Sequence, residues 1–427
     1  MEPLFSESTN RRALARRLGA ALVLVASLLI LSPAAKADST DFDFAQGLMD
    51  RGYFSLAQIE FQRMVDDPRL GATEKKEGEL GLCLLRAKKA LSVSAGYREG
   101  QDPSNVLAEF GASEAAFESF LSANPTHPRI SDAIFEFCTM LQNKGSFLGQ
   151  LVDEAKESGS RKLDQYTEET IRTFDKAIQY YDRVLAEVGH AKEGDPLYTR
   201  KTQARFYYSL AHYYKGRSLP VEHMSRIPAL DRAVSTLEDF LWDHEDTVSG
   251  YYAFIYKGLA HGELGQYKDA IENLQNVLTS LNPADESDPR LKELVMNMIC
   301  EAGLHLGRVC NKAKEAGGFN LQQIAADALE AHYAAVPASV NNRYGQLALL
   351  EAAKAMLGIF EFNKALKYAQ DVSDAASRSG AAWGRGNKIR ADRLIAEIFA
   401  VAPEGAIRPD PVLLWRAAEG KFSQGEY

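Results

Sequence analysis

Apolar side chains recur along most of this chain at the three- and four-residue spacing of amphipathic helices. Within residues 268–281 the apolar positions are Ile271, Leu274, Val277, Leu278 and Leu281. This spacing places them on one face of a helix. No segment shows the period-two alternation that is typical of a β-strand. The pattern therefore predicts an all-α protein without a sheet.

The clearest segment, residues 251–283, contains two such helices joined by a short turn. Gly258 and Ala270 are small enough to let the two helices approach closely, and Leu274 fills the space beside them. Gly265 ends the first helix, where a left-handed residue satisfies the last carbonyl groups. One hairpin cannot bury both of its apolar faces, so about three or more must stack.

This segment closely resembles a tetratricopeptide repeat, a helix–turn–helix unit of about 34 residues. The positions that carry the resemblance are Gly258, Gly265, Tyr267, Ala270, Leu274, Val277, Leu278 and Pro283. The resemblance implies an α-solenoid of stacked antiparallel hairpins wound as a right-handed superhelix. It also implies a protein that holds other molecules, rather than one that catalyses a reaction.

Similar hairpins recur through the rest of residues 38–427, at irregular intervals. The small residues that anchor them are Ala57, Ala116, Ala177, Ala233, Ala270, Ala325 and Ala365. Since every interval exceeds the family repeat of about 34 residues, we expect longer helices or extra segments within the hairpins. Residues 411–427 resemble the first helix of one more hairpin. We therefore expect that hairpin to be incomplete and the chain to be the N-terminal piece of a longer repeat protein.

Three Asp-Pro pairs predict helix starts, because Asp caps a helix and Pro fits its first turn. They are Asp195-Pro196, Asp288-Pro289 and Asp410-Pro411. The glycine-rich stretch 384–387 predicts a turn that breaks a helix.

The N-terminus predicts export. An apolar run over residues 18–31 is followed by Ala35-Lys36-Ala37, and basic residues precede it at Arg11, Arg12, Arg16 and Arg17. These are the three parts of a secretory signal peptide, so residues 1–37 are expected to be cleaved before Asp38. The run is shorter than the ~18 apolar residues of a membrane span, which leaves an uncleaved anchor as the alternative. The expected location is the periplasm or cell envelope, with no membrane span in the mature chain.

The negative net charge of the chain limits the classes of partner that it can bind. The net charge of −9 becomes −12 on cleavage, because the first 37 residues carry five basic and two acidic side chains. A chain this acidic is unsuited to nucleic acid or to anionic membrane surfaces.

Four cysteines are few for an exported protein. Cys300 and Cys310 lie on one predicted helix about 15 Å apart, too far for a disulfide. Cys83 and Cys138 lie in successive hairpins and could pair, although buried free thiols are the preferred interpretation.

Motifs for chemistry are missing from the sequence. The eight histidines are scattered without metal-ligand spacing, and neither a phosphate-binding loop nor a nucleophile elbow occurs. We therefore expect no enzyme, no cofactor and no metal site. One basic cluster is interpreted as a solvated helix face, with a receptor for an acidic partner or polyanion as the alternative. Its members are Arg378, Arg385, Lys388, Arg390 and Arg393.

The family resemblance also implies a groove lined by the first helix of each hairpin. Register taken from Gly265 gives the candidate lining Phe135, Tyr208, His212, Tyr252, Ile255, Leu350 and Trp415. This lining is aromatic and apolar rather than basic, which favours an apolar or extended peptide over a basic groove that grips a peptide C-terminus. The alternative is that these side chains pack between neighbouring hairpins.

The leading hypothesis is an exported scaffold that binds protein segments in this groove and serves periplasm or envelope assembly. The alternative is a glycan-binding module for polysaccharide export or uptake, in which exposed Tyr and Trp rings stack on sugars. A third hypothesis is a stalk for an activity located beyond Tyr427.

Overall fold

The computed structural model describes residues 40–98, 100–315, 319–407 and 411–424, so the predicted signal segment 1–37 lies outside it. Within these ranges the chain forms sixteen α-helices, two short 3-10 segments and no strand. The predicted all-α class is thus confirmed. The helices are α1 (Thr40–Asp50), α2 (Phe54–Asp66), α3 (Ala72–Ala95), α4 (Ser104–Ala123), α5 (Ile130–Ser158), α6 (Leu163–Val188), α7 (Tyr198–Ser218), α8 (Arg226–His244), α9 (Val248–Glu263), α10 (Tyr267–Ser280), α11 (Pro289–Glu315), α12 (Phe319–Ala335), α13 (Arg343–Gly358), α14 (Phe362–Arg378), α15 (Ala382–Val401) and α16 (Pro411–Gln424).

The chain clusters into two compact units, and the boundary between them falls after Arg232, inside α8. In the first unit, consecutive helices from α1 to α7 pack against one another, and α1, α3, α5 and α7 also contact in succession. In the second unit, consecutive helices from α9 to α16 pack in the same way, and α9, α11, α13 and α15 contact in succession. We call these two sets the odd-helix layers. Each unit is therefore a stack of antiparallel helix hairpins.

The hairpin α9–α10 has the packing that its sequence predicts. A Cβ placed on Gly258 would lie 2.9 Å from Leu274 Cγ and 3.1 Å from the Ala270 carbonyl oxygen, so only glycine lets α9 approach α10 this closely. Gly265 has φ +76°, the left-handed conformation expected at the end of α9. In the hairpin α13–α14 the same turn position is held by Phe360 with φ +65°, an uncommon conformation for an aromatic residue.

Long helices explain the irregular repeat spacing. Helix α5 has 29 residues and runs without interruption from Ile130 to Ser158. Helix α11 has 27 residues and carries both Cys300 and Cys310, as predicted. Gly145 lies inside α5, where a Cβ would come within 2.7 Å of the Phe174 ring on α6. The glycine therefore allows α5 and α6 to pack closely.

One predicted turn is wrong. The stretch 384–387 lies inside α15, and the chain reverses earlier, at Gly380 with φ +60°. Glycine is tolerated here because the helix gains its stability from packing rather than from propensity.

The predicted helix starts have mixed outcomes. Helix α11 begins at Pro289, and the Asp288 carboxylate accepts a hydrogen bond from the Arg290 amide at 2.8 Å, as predicted. The pair Asp195-Pro196 instead forms a turn, and α7 begins two residues later at Tyr198. Helix α16 begins at Pro411, whereas Asp410 lies outside the described residues.

Candidate functional site

Four of the seven predicted groove residues are buried. The exposed fractions are 6% for Phe135, 5% for Tyr252, 0% for Ile255 and 4% for Leu350. Buried side chains offer no surface to a partner, so these values favour the packing alternative for these four positions. The other three are Tyr208 and His212, which are half-buried, and Trp415, which is 67% exposed. A role in binding stays a prediction for these three.

In the first unit, Phe135 joins three helices. Its ring centroid lies 5.5 Å from that of Tyr207 on α7 and 6.1 Å from that of Tyr181 on α6, both edge to face. The Arg200 guanidinium covers the ring at 4.8 Å. Such aromatic and cation–π contacts each add about 0.5–1.5 kcal/mol to the packing. Phe135 is therefore a structural residue in this conformation.

Tyr208 and His212 form a pair on α7. Their ring centroids are 4.8 Å apart and nearly perpendicular, and His212 Nε2 is buried without a hydrogen-bond partner. Burial, reinforced by the positive charges of Arg232 and Lys215, lowers the pKa of His212 to about 4. The imidazole is neutral at pH 7, so it contributes an uncharged aromatic surface beside Tyr208.

The first unit also contains a cavity of about 310 Å³ lined by charged side chains of α4, α5 and α6. Lys144 Nζ lies 2.8 Å from Glu114 and 3.2 Å from Glu169. Burial alone would raise the pKa of Glu114, but hydrogen bonds from Lys144 and Lys176 lower it. The lysines and glutamates that line the cavity pair with one another, so no ligand is needed to balance their charges.

In the second unit, amide side chains connect the odd-helix layer. Asn342 Nδ2 donates to Asn297 Oδ1 at 2.7 Å, which joins the start of α13 to α11. Gln346 Nε2 donates to the Val340 carbonyl at 3.0 Å, and Asn387 Nδ2 donates to Gln346 Oε1 at 3.1 Å. These bonds fix α11, α13 and α15 side by side.

Beside these amides lies a group of four half-buried arginines, which we call the arginine cluster. Arg308 comes from α11, Arg343 from α13, and Arg390 and Arg393 from α15. Burial, together with the positive charges of Arg308 and Arg343, lowers the pKa of Arg390 to about 10. Three successive helices of one layer thus bring like charges together.

The negative charge of the Glu351 carboxylate offsets only part of the positive charge around Arg390. It raises the pKa of Arg390, yet its two oxygens are already held by Asn311 Nδ2 at 2.9 Å and Lys354 Nζ at 3.1 Å. Among the described residues, no hydrogen bond or ion pair joins Arg390 to another side chain. The half-buried Arg390 guanidinium, a planar fork of five donors, is therefore not engaged by another side chain of the described residues.

The basic cluster predicted from sequence divides in the structure. Arg378 and Arg385 are exposed, as expected of a solvated helix face. Lys388 is paired with Asp392 at 2.6 Å. Arg390 and Arg393 instead belong to the arginine cluster, together with Arg308 of α11 and Arg343 of α13. The odd helices of the second unit thus assemble basic groups that the aromatic lining expected from sequence did not include.

All four cysteine thiols are free and buried, as the preferred interpretation predicts. Burial raises the pKa of Cys83, Cys300 and Cys310 to about 12. Among the described residues, no group of His, Cys, Asp or Glu side chains is arranged to hold a metal ion. None of the described helices combines the length and hydropathy that a membrane crossing requires.

Comparison with known proteins gives little further constraint. No family model matches the sequence, and no curated protein matches it. Among solved structures, the apo form of the quorum sensor NprR from B. thuringiensis is similar at a TM-score of 0.38 and 12% identity, with 90% of this chain and 93% of that chain covered. NprR in complex with its cognate peptide NprX gives a TM-score of 0.34 and 11% identity, with 90% of each chain covered. Both TM-scores are below 0.5, too low to carry an argument about fold or ligand.

Proposed function

We propose that this protein is a helical-repeat scaffold that binds an extended protein segment along the odd-helix layer of the second unit. The observation that supports it is the layer that α11, α13 and α15 form, on which the guanidinium groups of Arg308, Arg343, Arg390 and Arg393 are half-buried rather than fully buried. An extended segment exposes main-chain carbonyl groups along its length, and guanidinium donors on a rigid helical surface can bind them. The protein would act by binding rather than by catalysis.

A peptide fits these residues better than a glycan does. Sugar stacking requires aromatic rings that are flat and exposed, but Tyr252 is 5% exposed and Tyr208 is half-buried against His212. Trp415 alone among the candidate rings is widely exposed, and it lies on α16, outside the odd-helix layer.

A selection of random dodecapeptides displayed on phage tests the proposal. We expect the purified protein to enrich discrete peptides. The double substitution Arg308→Ala and Arg343→Ala should weaken their binding about tenfold or more, since hydrogen bonds from charged groups contribute about 1.5–3 kcal/mol each. The readout is the dissociation constant of the enriched peptides by fluorescence anisotropy.

The matched control removes the same charge from the even helix α14 of the same unit. Lys364 and Lys367 are exposed there, so the double substitution Lys364→Ala and Lys367→Ala should leave binding within twofold. Equal losses for both doubles would indicate nonspecific charge attraction and would contradict a site on the odd-helix layer.

We also propose that the scaffold works after export, in the periplasm or cell envelope. This rests on the basic, apolar and A-x-A segments of residues 11–37. Sequencing the N-terminus of protein recovered from the envelope fraction should give a chain that begins at Asp38. An intact N-terminus in the cytoplasmic fraction would contradict export.

A further inference from the structure

The charged cavity of the first unit contains two hydrogen-bond donors that its ion pairs do not use. Its lining consists of Glu114, Lys144, Glu169, Arg172, Thr173 and Lys176. The two lysines and the two glutamates pair with one another. Among the described residues, none forms a hydrogen bond or an ion pair with the side chain of Arg172 or of Thr173.

The Thr173 hydroxyl is the exception among the buried threonines of α6. Thr167 and Thr170 donate to the Leu163 and Tyr166 carbonyl oxygens at 2.9 Å and 2.7 Å. Thr173 is 3% exposed and makes no such bond. A buried hydroxyl without a partner has lost its hydrogen bonds to water without replacement, which is unfavourable. The threonine that lines the cavity is therefore the one that the fold leaves unsatisfied.

The Arg172 guanidinium lies at the junction of two cavities. It is exposed, and it also lines a wider cavity of about 650 Å³ along α6, which shares Arg172 and Lys176 with the first. The acidic residues three positions away on either side are engaged elsewhere. Glu169 pairs with Lys144 at 3.2 Å, and Asp175 pairs with Lys215 of α7 at 2.5 Å. The five donors of the Arg172 fork are therefore available to a ligand.

We infer that this cavity binds a carboxylate group, with Arg172 and Thr173 as its donors. A planar guanidinium fork matches the two coplanar oxygens of a carboxylate, and the Thr173 hydroxyl can donate to one of them. The volume of about 310 Å³ is at the lower end for small-ligand sites. It suits a small organic acid or the side chain of one Asp or Glu. The site belongs to the first unit and does not depend on the function proposed for the second.

The lining favours a carboxylate over a phosphate. A carboxylate carries one negative charge, whereas a phosphate ester carries about −1.5 to −2 at pH 7. The glutamates of the lining, Glu114 and Glu169, repel the additional charge. Glu118, which pairs with Lys176 at 2.8 Å, adds to that repulsion.

Saturation-transfer NMR titrations with four probes test the site at constant ionic strength. Butyrate and butyramide have the same shape, but only butyrate has a carboxylate. N-acetyl-glutamate N-methylamide and its glutamine counterpart present the same difference on an amino acid with blocked ends. We expect at least one acid to bind about tenfold or more tightly than its amide. Discrimination with butyrate alone identifies a free organic acid as the ligand, and discrimination with the blocked glutamate identifies an acidic side chain of a protein segment.

Two substitutions identify the donors. Arg172→Gln, at an exposed position, should weaken the acid about tenfold or more and remove its advantage over the amide. Thr173→Val keeps the shape of the side chain without its hydroxyl and should weaken the acid about threefold to tenfold. Arg183→Gln is the matched control, because Arg183 is an exposed arginine of α6 that lines neither cavity. It should leave binding unchanged.

Thermal unfolding without ligand gives an independent readout. Thr173→Val removes an unsatisfied hydroxyl, so its thermal midpoint should not fall below that of the wild type. Thr170→Val is the control, and its midpoint should be the lower of the two, because it removes a hydroxyl that donates at 2.7 Å. A Thr173→Val variant less stable than Thr170→Val would mean that the fold satisfies this hydroxyl, and would overturn its role as a donor to a ligand.

Three binding results would overturn the site. They are no binding of either acid at 10 mM, equal binding of acids and amides, and acids that bind Arg172→Gln as tightly as the wild type. Inorganic phosphate is titrated alongside, and tighter binding of phosphate than of either acid would overturn the carboxylate assignment. None of these results bears on the peptides selected for the second unit, so failure here leaves the proposed function in place.

Discussion

Replacing Tyr181 by alanine is expected to lower the free energy of unfolding by about 3–5 kcal/mol, the cost of removing a buried aromatic ring and leaving a cavity. Tyr181 is fully buried in the first unit. Its ring meets Phe135 of α5 at 6.1 Å, and its hydroxyl donates to Gln142 Oε1 at 3.4 Å. Loss of the ring would therefore remove contacts that join α6 to the two α5 residues, Phe135 and Gln142, that in turn contact Tyr207 of α7. Urea unfolding followed by far-UV circular dichroism measures the change.

Tyr53→Ala is the control for this variant, because Tyr53 belongs to the same unit but is 56% exposed. Exposed substitutions usually change the free energy of unfolding by less than about 0.5 kcal/mol. A Tyr181→Ala variant as stable as Tyr53→Ala would contradict the packing of α5, α6 and α7 described above.

Adding a single methyl group at Gly345 is expected to destabilise the second unit by about 3 kcal/mol, at the upper end of the usual cost of overpacking. The Cβ of Gly345→Ala would overlap the Ser339 carbonyl oxygen and lie 3.2 Å from Cys300 Sγ. The first contact is with backbone, which cannot yield by a change of rotamer. The displaced segment includes the start of α13, so Arg343 would move with it.

Gly386→Ala is the matched substitution with the opposite expected sign. Gly386 lies inside α15, where an added Cβ would have no atom within 4 Å. Alanine should then raise the free energy of unfolding by about 0.5–1 kcal/mol through helix propensity. All three tryptophans, Trp242, Trp383 and Trp415, belong to the second unit, so their fluorescence during urea unfolding reports on it. Changes of the same sign in both variants would contradict the close approach at Gly345.

The all-α fold could be predicted from the sequence because helix hairpins depend on features that are close together along the chain. Gly258, Ala270 and Gly265 determine one hairpin through size and backbone conformation, and the apolar spacing extends that architecture to the rest of the chain. Turns were less predictable, because glycine also serves close packing. The stretch 384–387 lies inside α15, where tertiary contacts override low helix propensity.

The site was less predictable, because its residues meet only through stacking. Arg308 and Arg390 belong to helices two hairpins apart, and no local pattern joins them. The family register selected Ile255 and Leu350 instead, which pack inside the unit with 0% and 4% exposure. The sequence nevertheless indicated part of this site through the basic residues between 378 and 393, of which Arg390 and Arg393 belong to the arginine cluster. Their partners could be identified only once α11, α13 and α15 were placed side by side.

The central claim is that the odd-helix layer of the second unit contacts the bound segment. Site-specific photo-crosslinking measures this most directly. A photoreactive phenylalanine analogue would be placed singly at Arg343 and Arg393 of this layer, and at Lys367, which is exposed on the even helix α14. We predict that an enriched peptide crosslinks from positions 343 and 393 and not from 367. Crosslinking from 367 alone, or equally from all three positions, would contradict the account.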